Sequence, residues 1–217
     1  MVITIDGPVG SGKSSVAKEL AKRLNIYYLN TGLLYRATAY IFIYKLNKKD
    51  FGPFIQKELD LLDKISYEYE NNTPVVSFEN QDLTSHLSVS ELDLPASAVS
   101  SNRQVRERLL SIQRKIAEKY DVVAEGRDCG SVVFPNADYK FFLTANLDVR
   151  AKRVLFDERR RIENKDIEKV KAELEQRDQR DKTRKVAPLA VPNDAILMDN
   201  SDLTFEQTMQ EFMKFIR

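Results

Sequence analysis

The N-terminal segment combines a short β-branched run, a glycine-rich loop and an amphipathic helix, and this order restricts the fold more than any other feature. Residues 7–14 match the phosphate-loop pattern, a glycine, any four residues and then Gly-Lys-Ser. Residues 2–5 before the loop are typical of a buried parallel strand. Residues 14–24 after it repeat apolar side chains along one helical face. Strand, loop and helix in this order predict the first part of an α/β fold.

The residue types of the loop suit an anion. Glycines let successive backbone N–H groups turn inward, and a helix start adds N–H groups and the positive end of a dipole. Lys13 can reach the outer phosphates, and the Ser14 hydroxyl is a hard oxygen ligand for Mg²⁺. A glycine turn that binds nothing is the alternative, but every fixed position of the motif is present. The residues predicted to bind the phosphate donor are Gly7, Pro8, Val9, Gly10, Ser11, Gly12, Lys13, Ser14 and Ser15, with Ser14 as the metal ligand.

Length and composition indicate one α/β core with insertions. The chain has 217 residues, and its 34 Lys and Arg nearly balance 33 Asp and Glu, which argues against a general nucleic-acid or membrane-surface binder. Cys129 is the only cysteine, which excludes an internal disulfide and fits a reducing compartment. No apolar run is long enough for a membrane helix and the start lacks a secretion signal, so we expect a cytoplasmic protein.

Four further apolar runs predict strands, and helical patterns separate them. With the first strand they make five in βαβ order, which indicates a parallel sheet covered by helices. Residues 64–84 differ, because apolar and polar side chains alternate around a turn cluster, and this predicts a small antiparallel insertion. Helices are predicted over residues 102–117 and from Thr204, which forms a capping box with Gln207. The four strand runs are residues 26–29, 122–124, 139–143 and 195–198.

Two sets of charged residues suggest phosphate chemistry beyond the loop. Residues 150–185 are rich in Lys and Arg, which fits either a solvated helical pair or a cationic lid over a polyphosphate donor. Arg36, Arg127, Arg177 and Arg184 lie near predicted strand ends or on a helix that can return to one. Guanidinium groups bind phosphate bidentately and keep their charge, so this set suggests an acceptor that itself carries a phosphate.

The same residues fall in segments that resemble the bacterial cytidylate kinases. Besides the loop, the segments are residues 28–36 (Tyr-Leu-Asn-Thr-Gly-x-x-Tyr-Arg), 125–135 (Glu-Gly-Arg-Asp-x-Gly-x-Val-Val-Phe-Pro) and 177–189 (Arg-Asp-x-x-Asp-x-x-Arg-x-x-Ala-Pro-Leu). The resemblance runs along essentially the whole chain. It implies a single P-loop kinase unit over residues 1–217, an acceptor-binding region at 31–105 that includes the β insertion, and a helical lid at 150–165.

The resemblance also implies roles for individual side chains. Arg36, Arg127 and Arg184 would bind the acceptor phosphate. Arg177 and Asp181, four apart on a helix, would meet the sugar or the transferring phosphate. The residues implied to act in catalysis are Lys13, Arg127, Arg177 and Arg184.

The nucleobase and lid residues follow from the same resemblance. Ser97, Arg106 and Asp128 would read the cytosine edge, and Thr31 would lie near the acceptor pocket. The lid arginines would be Arg150, Arg153, Arg159, Arg160 and Arg161, without a choice among them.

Three positions depart from the family pattern, since Asn30 and Glu125 stand where aspartate is usual and Cys129 stands where an aliphatic residue is typical. Glu125 keeps a carboxylate but moves it by one methylene, which puts a water-mediated contact to Mg²⁺ in question. His86 is the only histidine, so a zinc site is not expected.

The predicted activity is transfer of the γ-phosphate of ATP, with Mg²⁺, to CMP or dCMP, giving CDP or dCDP. The expected protein is a monomer that binds neither nucleic acid nor membrane. The alternatives are a kinase for another small acceptor, such as UMP, AMP or shikimate, and a nucleotide-gated switch. An ionised acceptor phosphate needs no general base, which fits a sequence with one histidine.

Overall fold

The computed structural model describes residues 1–48, 50–157 and 166–216. It divides into two compact units, Met1–Leu29 with Asp121–Arg217, and Asn30–Tyr120, called here the core unit and the inserted unit. The strands are β1 (Val2–Asp6), β2 (Tyr27–Asn30), β3 (Ile65–Glu70), β4 (Thr73–Phe78), β5 (Gln81–Asp82), β6 (Val122–Gly126), β7 (Tyr139–Thr144) and β8 (Ile196–Asp199). The α-helices are α1 (Lys13–Leu24), α2 (Thr31–Tyr40), α3 (Gln56–Asp60), α4 (Asp93–Val99), α5 (Arg103–Lys119), α6 (Leu147–Leu155), α7 (Ile167–Thr183) and α8 (Phe205–Met213).

A five-stranded sheet forms the centre of the core unit, in the order β2-β6-β1-β7-β8. Strand β1 runs parallel to β6 and β7, and β7 runs parallel to β8. The prediction of five strands in a parallel sheet is therefore confirmed, with each boundary within two residues of the predicted run. Asp6 is in register with Gly126 and Phe142, so the segments that follow β1, β6 and β7 leave the sheet at one edge.

Apolar side chains from the sheet and two helices form the main core. Ile5 and Phe141 are fully or almost fully buried, and they pack in one cluster with Leu20 of α1 and Phe212 of α8. The rings of Phe141 and Phe212 have centroids 4.5 Å apart. The predicted capping box at the start of α8 forms, with Thr204 as the cap, so this helix begins where the sequence indicates.

The inserted unit contains the predicted antiparallel sheet, in the order β3-β4-β5. Ile65 and Tyr67 of β3 and Val76 of β4 are buried on one face, as the alternating pattern requires. Asn71 and Asn72 join β3 to β4 with positive φ angles of 49° and 61°, a conformation that asparagine tolerates better than most residues.

Two helical segments contain π-helical turns that the sequence pattern does not indicate. Residues Ile41–Lys45 continue α2, and Cys129–Val133 follow β6 after two intervening residues. The second turn begins beside Arg127 and Asp128, so it affects the candidate site. Among the described helices, none has both the length and the apolar character needed to cross a membrane.

Candidate active site

The loop after β1 has the backbone that an anion cradle needs. Gly7 and Gly10 have φ angles of +153° and +78°. A Cβ on Gly7 would lie 2.0 Å from the Leu143 carbonyl oxygen, and one on Gly10 would lie 2.8 Å from the Arg150 carbonyl oxygen. Helix α1 then begins at Lys13 with no side-chain cap and no acidic residue in its first turn. Its N–H groups and dipole are therefore available to a phosphate group.

Lys13, at the end of this loop, has a buried positively charged side chain. Its side chain is 6% exposed, and its Nζ donates to the carbonyl oxygen of Pro8 at 3.2 Å. Burial, together with the charges of Arg127 and Arg177, lowers the pKa of Lys13 to about 7, against the opposite effect of Glu125. A negatively charged ligand would offset this cost, so the site is built for an anion.

Ser14, Tyr28 and Glu125 form a hydroxyl–carboxylate group beside the loop. The Ser14 hydroxyl donates to Glu125 Oε1 at 3.0 Å, and the Tyr28 hydroxyl donates to the same oxygen at 3.1 Å. Mg²⁺ in phosphoryl-transfer sites uses one or two carboxylates plus substrate phosphates. Ser14 and Glu125 fit that donor set. The residues that the structure describes contain no group of three His, Cys, Asp or Glu side chains that could hold a metal on protein ligands alone.

The end of β6 and the end of α7 form two ion pairs next to each other. Arg127 Nε donates to Asp181 Oδ2 at 2.9 Å, and an Arg184 nitrogen donates to Asp128 Oδ1 at 3.2 Å. Burial alone would raise the pKa of Asp181, but Arg127 and then Arg177 hold it below its usual value. The structure thus brings together four predicted site residues of the core unit, Arg127, Asp128, Asp181 and Arg184.

The predicted acceptor residues of the inserted unit fall into two groups. The Arg106 guanidinium lies over the Tyr35 ring, 5.2 Å from its centroid, and donates to the Ser100 carbonyl oxygen at 3.1 Å. The Ser100 hydroxyl in turn donates to the Ser97 carbonyl oxygen at 2.8 Å. This network links Arg106 to Ser97, and both side chains are buried.

Arg36 and Thr31 lie on α2. Arg36 donates to the carbonyl oxygens of Leu87 and Val89 at 3.1 and 2.9 Å, and it also pairs with Asp93. Thr31 is buried at the first position of α2. Asn30 caps this helix by accepting the Gly32 N–H at 3.0 Å. An amide oxygen is therefore sufficient for the capping role at that position.

Two of the predicted lid arginines, Arg150 and Arg153, bind the backbone of the phosphate loop. Arg150 donates to the Val9 carbonyl oxygen at 3.1 Å, and Arg153 donates to the Ser11 carbonyl oxygen at 3.2 Å. Both therefore contact main-chain carbonyl groups of the phosphate loop. Arg159, Arg160 and Arg161 lie outside the described residues, and the lid boundaries stay a prediction.

Asp6 is a residue whose role the sequence reasoning missed. It is 1% exposed at the end of β1, and its carboxylate accepts the N–H groups of Cys129 and Gly130 at 2.8 and 2.7 Å. It therefore caps the π-helical turn that follows Asp128. Its position immediately before the loop is the only sequence signal for this contact.

Comparisons with known proteins agree with the geometry. The family model described as cytidylate kinase matches residues 3–217. The chain is 41% identical over 217 residues to a cytidylate kinase of Chlamydia caviae, covering 100% of this chain and 98% of the relative. It is 37% identical over 216 residues to one of Clostridium botulinum, covering 99% and 97%. A solved shikimate kinase from Bacteroides thetaiotaomicron shares the fold, with a TM-score of 0.51 and 14% identity over 100% of this chain and 98% of that chain. The chain therefore belongs to the cytidylate kinase family.

Proposed function

We propose that this protein transfers the γ-phosphate of ATP to CMP or dCMP, giving CDP or dCDP. The observation that carries the proposal is that the core unit of a chain of the cytidylate kinase family holds a phosphate loop with a buried Lys13 and the adjacent ion pairs of Arg127 and Arg184. The relatives that match over their full length are named cytidylate kinases. A loop for the donor and arginines for a phosphorylated acceptor are the two parts that such a reaction needs.

The donor phosphates would lie in the loop. Backbone N–H groups and Lys13 would bind their oxygens, and Ser14 and Glu125 would hold Mg²⁺ against them. The metal, when bound, supplies charge neutralisation at the β- and γ-phosphates. Tyr28 would keep the Glu125 carboxylate beside Ser14, so the longer side chain at this position is held by a second hydroxyl.

The acceptor phosphate would be bound by arginines. Arg127 and Arg184, with Arg36 of the inserted unit, would neutralise it and reduce its repulsion from the donor. Its oxygen is the nucleophile, and because the second pKa of a phosphate monoester is about 6, it is ionised near neutral pH. No protein base is then needed, and catalysis consists of positioning and electrostatic stabilisation.

The cytosine edge would be read by Ser97, Arg106 and Asp128. Cytosine offers an amino donor at N4 and acceptors at N3 and O2, so a carboxylate and a cation match it. Uracil has an oxygen at the position of the amino group, and a carboxylate would repel it. This difference gives the proposal its specificity for CMP over UMP.

We place this reaction in the cytoplasm, in a monomer that uses ATP and Mg²⁺ and binds neither nucleic acid nor membrane. The balanced net charge supports the absence of a polyanionic partner. Size-exclusion chromatography with light scattering tests the monomer, and a stable dimer would contradict it.

An acceptor panel tests the function. Initial rates are measured with ATP and Mg²⁺ against CMP, dCMP, UMP and AMP, and we expect kcat/KM for CMP or dCMP to exceed the others at least tenfold. Equal rates for UMP or AMP would contradict the cytosine assignment. ATP hydrolysis that no acceptor accelerates would instead indicate the nucleotide-gated switch.

Two variants test the division of the site. In Asp128→Asn, the ratio of CMP to UMP rates should fall at least tenfold, and this ratio does not depend on the fraction of folded protein. In Arg106→Met, kcat/KM for CMP should fall about 100-fold while KM for ATP changes less than twofold. Lys115→Met removes an exposed cation from the same helix and is the matched control. Equal losses for ATP and CMP in Arg106→Met would overturn the assignment.

A further inference from the structure

The phosphate loop can bind an anion only if its peptide groups are turned the right way. In a trans peptide, the carbonyl of one residue and the N–H of the next point in opposite directions. A loop carbonyl that is held on the outer side therefore directs the following N–H toward the bound phosphate. Hydrogen bonds to the carbonyls consequently decide whether the cradle is formed before the ligand arrives.

Arg150 holds one of these carbonyls. It donates to the Val9 oxygen at 3.1 Å, and its Nε donates to the Ala145 carbonyl oxygen at 3.0 Å. Its guanidinium also pairs with Asp178 of α7 at 2.7 Å, and both side chains are about nine-tenths buried. These three bonds fix the guanidinium in one orientation, since a buried planar group has little freedom to rotate.

Arg153 and Asn200 hold a second carbonyl together. Arg153 and the Asn200 Nδ2 each donate to the Ser11 oxygen at 3.2 Å. Arg153 also donates to the Asn200 side-chain and main-chain oxygens at 2.9 and 3.0 Å. Asn200 is 4% exposed and its own N–H donates to Thr144 at the end of β7, so the group is anchored to the sheet.

We propose that Arg150, Arg153 and Asn200 are positioning residues that preorganise the phosphate loop by holding the carbonyls of Val9 and Ser11 outward. This set is called the carbonyl clamp. It acts through the loop, directing the N–H groups of Gly10 and Gly12 at the phosphates, and it does not depend on contact with the nucleobase. The inference rests on the proposed function only in that the loop binds the phosphates of ATP.

Inorganic tripolyphosphate with Mg²⁺ is the probe that separates the clamp from contact with the base, because it has neither base nor sugar. Its affinity and that of ATP are measured by calorimetry for Arg153→Met and Asn200→Ala. We expect each variant to lose about five- to tenfold for both ligands, the effect of about one hydrogen bond. A loss for ATP alone would overturn the proposal, since it would mean contact with the base.

The double variant distinguishes positioning from direct contact with phosphate. If both side chains act through the Ser11 carbonyl, adding Arg153→Met to Asn200→Ala should lower the tripolyphosphate affinity by less than a further twofold. If the loss of affinity in the double variant equals the product of the two single losses, the carbonyl clamp is refuted. Lys152→Met removes an exposed cation from the same helix and should leave tripolyphosphate affinity unchanged.

A ligand-free readout tests preorganisation itself. The amide resonance of Gly12 should shift, and its hydrogen exchange should accelerate, in Arg153→Met but not in Lys152→Met. Arg153→Lys keeps one donor and should give intermediate values. An unchanged Gly12 resonance would overturn the proposal. Failure of the clamp would leave transfer to CMP by the unmodified protein intact, whereas failure of the proposed function would appear as no CMP-dependent turnover in that same protein.

For the Arg150 half of the clamp, both buried charges are replaced together, in Arg150→Met with Asp178→Asn, so that no unpaired charge remains inside the protein. We expect tripolyphosphate affinity to fall five- to tenfold and the Gly10 resonance to shift. Asp178→Asn alone keeps Arg150 and should cost less than the pair. Wild-type affinity in the pair would overturn the assignment of Arg150.

Discussion

Asp6 gives the fold a stability contribution with an unusual dependence on pH. Its buried carboxylate accepts two backbone N–H groups of the π-helical turn. Burial and, to a smaller extent, the charge of Asp128 raise the pKa of Asp6 from the usual 3.8 to about 6, against the opposite effect of the two backbone hydrogen bonds. We predict that protonation of this one carboxyl stabilises the folded protein.

The size of this stabilisation follows from the difference between the folded and unfolded pKa values of Asp6. The difference between 3.8 and about 6 corresponds to about 3 kcal/mol, since one pKa unit is 1.36 kcal/mol. Between these values the folded state binds more protons than the unfolded state, so the free energy of unfolding falls as the pH rises. The contribution of Asp6 is therefore fully present below pH 3.8 and is lost as the pH passes through 6.

Urea denaturation of the unmodified protein and of Asp6→Asn from pH 4.5 to 7.5 tests this reasoning. The variant cannot titrate at residue 6, so the difference in unfolding free energy, unmodified minus variant, should fall by about 2 kcal/mol over this range. Asp82→Asn is the control, because hydrogen bonds from Thr84 lower the pKa of Asp82 and its difference should not fall as the pH rises. A difference for Asp6→Asn that is constant, or that rises with pH, would refute the argument.

Three further predictions concern the charges of the site. Burial and Arg127 lower the pKa of Lys13 to about 7, so ATP binding at pH 8 should take up close to one proton. Calorimetry in two buffers of different ionisation enthalpy measures this uptake. An absence of uptake would contradict the prediction, and Lys13→Met should take up no proton. Glu125→Gln should raise the Mg²⁺ concentration for half-maximal rate at least tenfold without changing KM for CMP, whereas an unchanged Mg²⁺ titration would exclude Glu125 from the metal site. Arg184→Met should lower the free energy of unfolding by about 3–5 kcal/mol, because it removes the guanidinium group that pairs with the buried Asp128 carboxylate; adding Asp128→Asn should restore most of it in urea denaturation.

The parts of the fold that the sequence predicts are those fixed by local patterns. Short apolar runs mark the strands of the parallel sheet, and alternation marks the hairpin of the inserted unit. The capping box at Thr204 needs only residues three apart. The phosphate loop follows the same rule, since glycine positions and an adjacent lysine are readable within eight residues.

The contacts that complete the site are long-range, and no local pattern contains them. Asn200 meets the Ser11 carbonyl from 189 positions along the chain, and Asp6 meets Gly130 from 124. These partners depend on the sheet order and on where each strand ends. The resemblance to a family names Arg127 and Asp181 as functional, but that they form an ion pair with each other follows only from the structure.

Helix α7 shows that the composition of a segment does not reveal which of its charged residues are buried in ion pairs. A charged run with residues three and four apart fits a solvated helix equally well. In α7, however, Asp178 pairs with Arg150 behind the phosphate loop, and Asp181, three residues later, pairs with Arg127. Both carboxylates are buried, while Glu173 and Glu175 on the same helix are exposed. Because three residues advance a helix by almost one turn, the two aspartates lie on one side and connect the donor loop to the acceptor arginines.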